Sequence, residues 1–428
     1  MSRQEASGRT EVERTPAGPG DPARVGGIPE RDRLDRDRLD AIHRTVLATA
    51  RALDYAGYSK HDALNSPALE RLAGRSRLLR LAFIQAVMRC PIHVRPALGV
   101  RRARNAKGLA LFARALLCRR RLYGETTSGE EARRLLDWLV GHPAPEFPWP
   151  CWGYPYPWQD VGFFAPRGFP NRVVTSFVAQ SLLDGYETLG EERYLEAAGG
   201  ACRFLLEAPS TLWEDERRRC VSYEPSATAE WIVLDVSALA GAAVARWATI
   251  AGDGQSLEQA GRLIRYVASK QTEYGAWYYA EPPTASHITH DNYHTGFILD
   301  ALLEYGRVSG SAEFREAYVR GLDFYRSRLF EPDGAPRFMH DRKYPLDIHG
   351  AAQGILTFAH AYAELGTGRD VSERILSWTL AHMYEPATGW FCYQRRRWFR
   401  TRIRLLRWCQ GWMSWAIARH LECCGGPS

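Results

Sequence analysis

Residues Asp291 to Tyr305 read DNYHTGFILDALLEY, a polar cluster followed at once by an almost wholly apolar helix. The same unit recurs when Gly296 is aligned with other small residues that begin apolar runs. The anchors are spaced by 68, 62, 58, 58 and 57 residues and are Gly108, Ser176, Ala238, Gly296, Gly354 and Gly411. A period near 58 over six copies predicts a repeat architecture.

Helices of two kinds alternate along these repeats. The anchor helices are apolar nearly all round, whereas the helices between them carry one apolar stripe, as in Leu257, Ala260, Gly261 and Ile264. The first kind is typical of a buried inner layer and the second of an outer layer facing water. The pattern predicts an all-α fold, an (α/α)6 toroid of six helical hairpins. The sixth anchor helix, about Leu406 to Leu421, has no successor, so a helix from the N-terminal region should complete the outer ring.

The domain organisation follows from these patterns. Residues 1–38 are rich in Pro, Gly and alternating Arg and Asp, which predicts a disordered segment. Residues 39–103 should form helices that pack on the toroid, roughly Leu39–Leu53 and Leu69–Met88. The toroid is expected over residues 104–422, with a tail at 423–428.

Aromatic, strand-like segments lie between each outer helix and the next inner helix. They are Trp152–Tyr156, Cys220–Tyr223, Gly275–Tyr279, Arg337–His340 and Gly389–Tyr393. Because every such connection runs from an outer helix end to an inner helix start, all of them should lie at one mouth of the ring. We expect short β-hairpins there, and long connections of this kind indicate a functional face.

Composition excludes several classes of protein. A formal charge of +7 over 428 residues is too modest to indicate a nucleic-acid partner. No apolar run is long enough to predict a transmembrane segment, and the N-terminus lacks the apolar core of a secretory signal. The nine cysteines show no CxxC spacing, which favours reduced thiols and a cytoplasmic protein.

Polar and aromatic residues cluster just before the inner helices. Flat rings stack on sugars and carboxylates accept hydroxyl hydrogen bonds, so this set favours a saccharide site. The candidate catalytic residues are Glu281, Asp291, His294, Asp347 and His349. The candidate substrate-binding residues are Trp152, Trp158, Gln159, Asp160, Asn171, Glu224, Trp277, Asn292, Tyr293, Gln353, Trp390 and Tyr393.

Two chemistries fit these residues. In a glycoside hydrolase, Glu281 or Asp291 would protonate the leaving oxygen, and Asp347 would activate water or stabilise an oxocarbenium-like state.

In a uronate epimerase or lyase, His294 or His349, with Tyr293 or Tyr393, would remove and return the C5 proton. Arg395 to Arg397 would then neutralise the uronate carboxylate.

Structural explanations compete with these roles. Asp291 and Asp347 precede inner helices and could be N-caps. Glu331 and Glu385 belong to turns before a hairpin and are left out of the site. The histidines before the Gly296 helix lack a carboxylate-histidine helix signature, so we expect neither a metal nor another cofactor.

The repeat resembles the six-hairpin glycosidase-like superfamily across about Arg104 to Leu421. A closer resemblance, to a bacterial protein group seen with polysaccharide-assembly genes, rests on residues 57–59, 62–67, 151–159, 294–297 and 344–349. The resemblance implies the toroid fold and carbohydrate chemistry in polysaccharide biosynthesis, although this fold also hosts terpene and lanthionine cyclases. The Asp-rich or QW-type signatures of terpene cyclases are not evident, and His349 lacks the preceding Cys of the lanthionine-type zinc site.

The expected partner is therefore a saccharide or a nucleotide-linked sugar, and possible further partners are other polysaccharide-assembly proteins. The alternative is a non-catalytic glycan-binding or scaffold subunit, which would bind a glycan without turning it over.

Overall fold

The computed structural model describes residues 35–145, 147–160, 163–225 and 232–425. Residues 1–34, most of the segment expected to be disordered, and residues 426–428 of the expected tail lie outside the described residues. The helices are α1 (Arg36–Arg51), α2 (Pro67–Ala73), α3 (Arg77–Arg89), α4 (Ala106–Tyr123), α5 (Thr126–Gly141), α6 (Arg172–Leu189), α7 (Glu192–Glu207), α8 (Leu234–Ala251), α9 (Gly254–Ala268), α10 (Asn292–Ser309), α11 (Arg315–Arg328), α12 (Ile348–Leu365), α13 (Arg369–Met383) and α14 (Trp412–Cys424).

Six inner helices form a closed ring. Helices α4, α6, α8, α10, α12 and α14 each pack against the next, and α14 packs back on α4. Their residues are buried on nearly every side, as all-round apolar helices require. The predicted (α/α)6 toroid is thereby confirmed.

An outer helix backs each inner one. Helices α5, α7, α9, α11 and α13 pack on the inner helices that precede them, and α1 packs on α14. His43 in α1 contacts α14 through a 3.0 Å hydrogen bond between Nε2 and the Ser414 hydroxyl. The N-terminal helix thus occupies the outer position beside the sixth inner helix.

Short strands lie in the connections at one mouth. They are β1 (Ala56–Gly57), β2 (Ala103–Arg104), β3 (Trp158–Gln159), β4 (Phe164–Ala165), β5 (Thr211–Glu214), β6 (Arg219–Val221), β7 (Ile232–Val233), β8 (Ala280–Glu281), β9 (Leu346–Asp347), β10 (Tyr384–Glu385), β11 (Trp390–Phe391), β12 (Gln394–Arg395) and β13 (Arg400–Thr401). All pairings between these strands are antiparallel. In β3–β4, β5–β6, β10–β11 and β12–β13, both strands of the pair belong to the same connection.

Other strand pairs join neighbouring connections. Strand β7 pairs with β8, and β9 pairs with β12. Neither Gly275–Tyr279 nor Arg337–His340 contains a full strand pair in the described chain, but Met339 bridges Arg342 in a short antiparallel turn, and both segments form backbone hydrogen bonds within their own connections. The backbone N–H of Tyr279, for example, donates to the Thr289 carbonyl at 2.8 Å.

The expected helix Leu69–Met88 is instead two helices, α2 and α3. Gly74 ends α2 with a positive φ of 48°, a conformation that glycine adopts without strain. Ser76 then caps α3 by accepting a hydrogen bond from the backbone N–H of Leu79 at 3.4 Å.

Small anchor residues allow the helices to approach closely. A Cβ atom on Gly296 would lie 2.4 Å from Cγ of Gln353, and one on Gly354 would lie 2.4 Å from Cζ of Phe330. Both separations are far below van der Waals contact, so any larger residue would push the layers apart.

Within the described residues, one helix, α8, is long and apolar enough to cross a membrane by length and composition. It is an inner helix of the ring and 72% of it is buried in the protein, which accounts for its apolar character.

Candidate functional site

A cavity of about 410 Å³ lies at the N-terminal ends of the inner helices. The second residue of every inner helix, counting the π-helical segment Leu406–Gly411 that leads into α14, lines it: Lys107, Val173, Asp235, Tyr293, His349 and Arg407. Each helix N-terminus carries a partial positive charge. Six such ends around one cavity favour a ligand with negative charge.

The cavity wall combines aromatic, cationic, acidic and imidazole groups. The aromatic residues include Tyr154, Tyr156, Trp158, Phe163, Tyr223, Tyr279, Tyr293, Phe297, Phe338, Tyr393 and Trp408; the cations are Lys60, Arg89, Lys107, Arg396 and Arg407; the carboxylates are Asp160, Glu224 and Asp235; and the histidines are His61, His287, His294 and His349. Sugar recognition uses this combination of flat apolar faces and a few polar groups.

His294 and Asp291 form a hydrogen-bonded pair at the start of α10. Nδ1 of His294 lies 2.7 Å from Oδ2 of Asp291, while Nε2 has no hydrogen-bond partner among the described residues. Burial alone would lower the pKa of His294, but the carboxylates of Asp291 and Asp235 outweigh burial and raise it. The hydrogen bond to Asp291 fixes the orientation of the His294 ring. The unbonded Nε2 belongs to this side chain, which lines the cavity.

His349 presents a neutral imidazole. Its two ring nitrogens are buried and have no partner among the described residues, although the side chain lines the cavity. Burial, followed by the charges of Lys107 and Arg407, holds its pKa well below the usual value. Tyr293 lies beside both histidines, with ring centroids 4.1 Å from His294 and 4.2 Å from His349.

Asp347 supports the site from behind the wall. Its carboxylate accepts hydrogen bonds from Trp408 Nε1 at 2.7 Å, Gln394 Nε2 at 2.8 Å and the backbone N–H of His349 at 3.0 Å. It does not line the cavity. These contacts make Asp347 the N-cap of α12 and a positioning group for Trp408.

Glu281 also lies outside the cavity lining. Its carboxylate forms an ion pair with Lys270 and accepts a hydrogen bond from the Tyr266 hydroxyl at 2.8 Å. Of the candidate catalytic residues, the structure therefore brings His294 and His349 to the cavity, with Asp291 bonded to the first.

Five of the candidate substrate-binding residues line the cavity: Trp158, Asp160, Glu224, Tyr293 and Tyr393. Two tryptophans instead hold the ends of outer helices. Trp152 Nε1 donates to the Leu139 carbonyl at 3.0 Å, and Trp277 Nε1 donates to the Val267 carbonyl at 2.9 Å.

The remaining candidates at this mouth have local partners. Asn171 caps α6 by accepting from the backbone N–H of Val174 at 2.8 Å, and Asn292 donates to the Leu329 carbonyl at 2.8 Å. Gln159 donates to backbone carbonyls of its own hairpin, and Trp390 is buried in β11. None of the four lines the cavity.

Gln353 belongs to a second cavity of about 290 Å³ at the C-terminal halves of the inner helices. Its Nε2 donates to Asp300 Oδ2 at 2.7 Å. Phe297 lines both cavities and packs on Phe177 and Trp412, with centroid distances of 5.5 and 5.6 Å. An aromatic layer thus separates the two spaces.

Two carboxylic acids in the wall have raised pKa values. Burial raises the pKa of Glu224 to about 7, and burial also raises that of Asp235. Glu224 is consequently able to hold a proton near neutral pH.

The sequence reasoning did not include Lys60, Lys107 or Arg407 among the candidates. Lys107 and Arg407 each occupy the second position of an inner helix, and in all six repeats the residue at this position lines the cavity. A comparison of these positions is the signal that could have identified both residues. Arg396 is the member of the predicted Arg395–Arg397 group that lines it. In the described part of the chain, no group of three or more His, Cys, Asp or Glu is arranged to hold a metal ion.

No protein-family model matches the chain, and no curated protein matches it. Solved structures do share its fold. A D-mannose isomerase is 10% identical with a TM-score of 0.60, covering 92% of this chain and 99% of its own. An unsaturated glucuronyl hydrolase specific for heparin is 12% identical with a TM-score of 0.58, covering 91% and 99%. Cellobiose 2-epimerase from Bacillus thermoamylovorans B4167 is 10% identical with a TM-score of 0.57, covering 74% and 87%.

Proposed function

We propose that the protein is an enzyme that moves a proton on a saccharide, as an epimerase, isomerase or lyase does, with His294 and His349 as proton carriers. The observation that carries this proposal is the pair of imidazoles beside Tyr293, one with a raised and one with a lowered pKa. Groups whose environments push their pKa values apart are suited to acid and base roles.

The neutral His349 is the base in this scheme. It removes a proton from a sugar carbon next to a carbonyl or carboxylate, and the C–H electron pair moves into the adjacent C–O system. The helix N-termini and nearby cations stabilise the resulting enolate oxygen. His294, charged through its pair with Asp291, returns a proton through Nε2. If the proton returns to the opposite face of the sugar ring, the configuration at that carbon is inverted. If a group leaves from the next carbon instead, the product is unsaturated.

The ligand class is a saccharide, and a uronate is favoured. Many aromatic side chains line the cavity beside five cations, so both ring faces and a negative group would have partners. Proteins with this fold include the mannose isomerase, the cellobiose 2-epimerase and the heparin-specific unsaturated glucuronyl hydrolase, which supports carbohydrate chemistry.

Glycoside hydrolysis is the second candidate, and Glu224 favours it. Its pKa of about 7 suits a general acid, and the side chain lines the cavity. In this alternative Glu224 takes the role that the sequence suggested for Glu281 or Asp291, whose carboxylates are engaged with Lys270 and His294.

We place this activity in the cytoplasm and in polysaccharide biosynthesis, where the protein acts on a glycan or a nucleotide-linked sugar beside other assembly proteins. The nine cysteines are all free thiols, which supports a reducing compartment. A non-catalytic glycan-binding subunit remains the competing proposal.

Proton NMR in D2O with a panel of uronate-containing and neutral sugars tests the proposal. We expect loss of a C–H signal next to the carbonyl or carboxylate, or an unsaturated product, with the wild type. His294→Gln and His349→Gln should each abolish the change. His382→Gln is the matched control, because His382 lies on the outer helix α13 and bonds the Trp378 carbonyl.

The other outcomes contradict proton transfer in different ways. New reducing-end signals without deuterium uptake, lost in Glu224→Gln, would establish hydrolysis instead. Line broadening of one glycan with no chemical change would establish a binding protein.

A further inference from the structure

Two buried cations at the cavity have no anionic partner in the part of the chain that the structure describes. Lys107 is 3% exposed and Arg407 is 5% exposed. The Lys107 ammonium lies 3.8 Å from the ring centroid of Phe177, and the guanidinium of Arg407 lies 5.3 Å from that of Trp408. Neither forms an ion pair with a described carboxylate, and Arg407 Nε has no hydrogen-bond partner.

The other buried cations of the described chain have carboxylate or carbonyl partners, although Nη1 of Arg95 forms no hydrogen bond of its own. Arg95 pairs with Asp62 at 2.7 Å, and Arg246 pairs with Asp184 at 2.7 Å. Arg119 pairs with two carboxylates, and the guanidinium of Arg172 donates to several backbone carbonyls. Buried charge is costly unless it is paired, and the two exceptions among the described residues lie in one cavity wall, where a bound anion would pair with both.

The backbone makes these two positions still less favourable for a cation. Lys107 and Arg407 are the second residues of their inner helices, where the helix dipole opposes positive charge. An anion at the same place would be favoured by the helix ends and by both side chains. Burial, followed by the charge of Arg407, lowers the pKa of Lys107 well below its usual value.

The segment that carries Arg407 is itself unusual. Residues Leu406–Gly411 form a π-helical turn before α14, a rare conformation found often at functional sites. Both Arg407 and Trp408 line the cavity. Lys60, from the loop after α1, lies with its ammonium 4.3 Å from the Trp408 ring centroid and adds a third positive group.

We infer that Lys107, Arg407 and Lys60 form a subsite for an anionic group of the ligand, a carboxylate or a phosphate. This inference rests on the proposed function in taking the ligand to be a saccharide, and it makes that saccharide a uronate or a sugar phosphate. Asp235, the described carboxylate whose charge acts on Lys107, is buried and has a raised pKa, so it compensates the ammonium charge poorly.

Isothermal titration calorimetry with D-glucuronate, D-glucose 6-phosphate and D-glucose tests the subsite. At least one anion should bind about tenfold or more tightly than glucose, because a charge-assisted hydrogen bond to a buried cation is worth this much. Tighter glucuronate assigns a carboxylate, and tighter glucose 6-phosphate assigns a phosphate. Equal affinity for all three sugars, or no measurable binding of either anion, would overturn the inference.

Variants identify the residues. Arg407→Gln and Lys107→Met should each reduce anion affinity by about tenfold or more and leave the affinity for glucose within about twofold. Arg328→Gln and Lys343→Met are the matched controls, since Arg328 is exposed, Lys343 is 40% exposed, and neither lines the cavity. Unchanged anion affinity in Arg407→Gln would refute the assignment.

Thermal unfolding supplies a second measurement that does not depend on binding. In buffer free of multivalent anions, Arg407→Met should unfold at the same temperature as the wild type or higher, because it removes an unpaired buried charge. A lower unfolding temperature would show that an internal partner satisfies Arg407. Proton exchange in the wild type separates the two proposals: anion binding that is lost in Arg407→Gln, with no proton exchange by the wild type, would sustain the subsite and reject the enzyme.

Discussion

The pair formed by His294 and Asp291 gives a quantitative prediction that requires no knowledge of the substrate. In Asp291→Asn the 2.7 Å contact loses its negative charge while the side-chain shape is kept. Removing one opposite charge at this distance lowers a pKa by about 1–3 units, or about 1.4–4 kcal/mol. Burial already acts to lower the pKa of His294, so the pKa in the variant should fall from its raised position in the wild type.

Histidine labelled with 13C at Cε1 provides the assay. A pH titration followed by NMR reports each ring, and the His294 signal is assigned by its absence in His294→Gln. Asp323→Asn, which removes an exposed carboxylate paired with Arg326, is the control and should leave the His294 titration unchanged. A His294 pKa that stays the same or rises in Asp291→Asn would refute the reasoning.

The same pair makes a prediction about stability. Since the folded pKa of His294 is raised above 6.5, its protonation stabilises the folded state fully below pH 6.5, and the contribution is lost as pH rises through the folded pKa. Asp291→Asn should abolish this contribution, so the difference in free energy of unfolding between the two proteins should be larger at pH 5.5 than at pH 8.5.

Three further substitutions test packing and burial. Asp62→Asn should destabilise the protein by about 3–5 kcal/mol in urea unfolding, because it leaves Arg95 buried without its partner. Gly153→Ala should cost more than about 1 kcal/mol, since its Cβ would lie 1.9 Å from a backbone oxygen, whereas Gly254→Ala, with no atom within 4 Å, should be nearly neutral. Glu224→Gln should match the wild type in stability below pH 4.5 and exceed it by about 3 kcal/mol above pH 7, because a raised carboxyl pKa is a cost of ionisation in the folded state.

The fold could be predicted because the two helix layers have different burial. A helix buried on all sides and a helix with one wet face leave distinct apolar patterns, and those patterns repeat at a nearly constant period. The alignment was nevertheless imperfect. Ser176, Ala238 and Gly296 are each the fifth residue of their inner helices, but Gly108 is the third and Gly354 the seventh.

That shift explains much of what the sequence left out of the site. In every inner helix, the residue at the second position lines the cavity. Because the anchors lie at different positions, Lys107 precedes its anchor by one residue and His349 precedes its anchor by five. An alignment on small packing residues does not bring them into one column. The hydrogen-bond partners of the site residues could not be predicted either, because the sequence pattern does not show that Asp347 bonds to Trp408, 61 residues away.

The pairing of α1 with α14 has a consequence for how the chain matures. The first described helix completes the hairpin of the last one, so the ring acquires its final contact only after α14 has been synthesised. Until then the apolar sides of α4 and α12 that α14 will cover face water. Such late, long-range closure slows folding and leaves apolar surface exposed on the nascent chain. We therefore expect C-terminal truncations that remove α14 to aggregate rather than to yield a smaller stable ring.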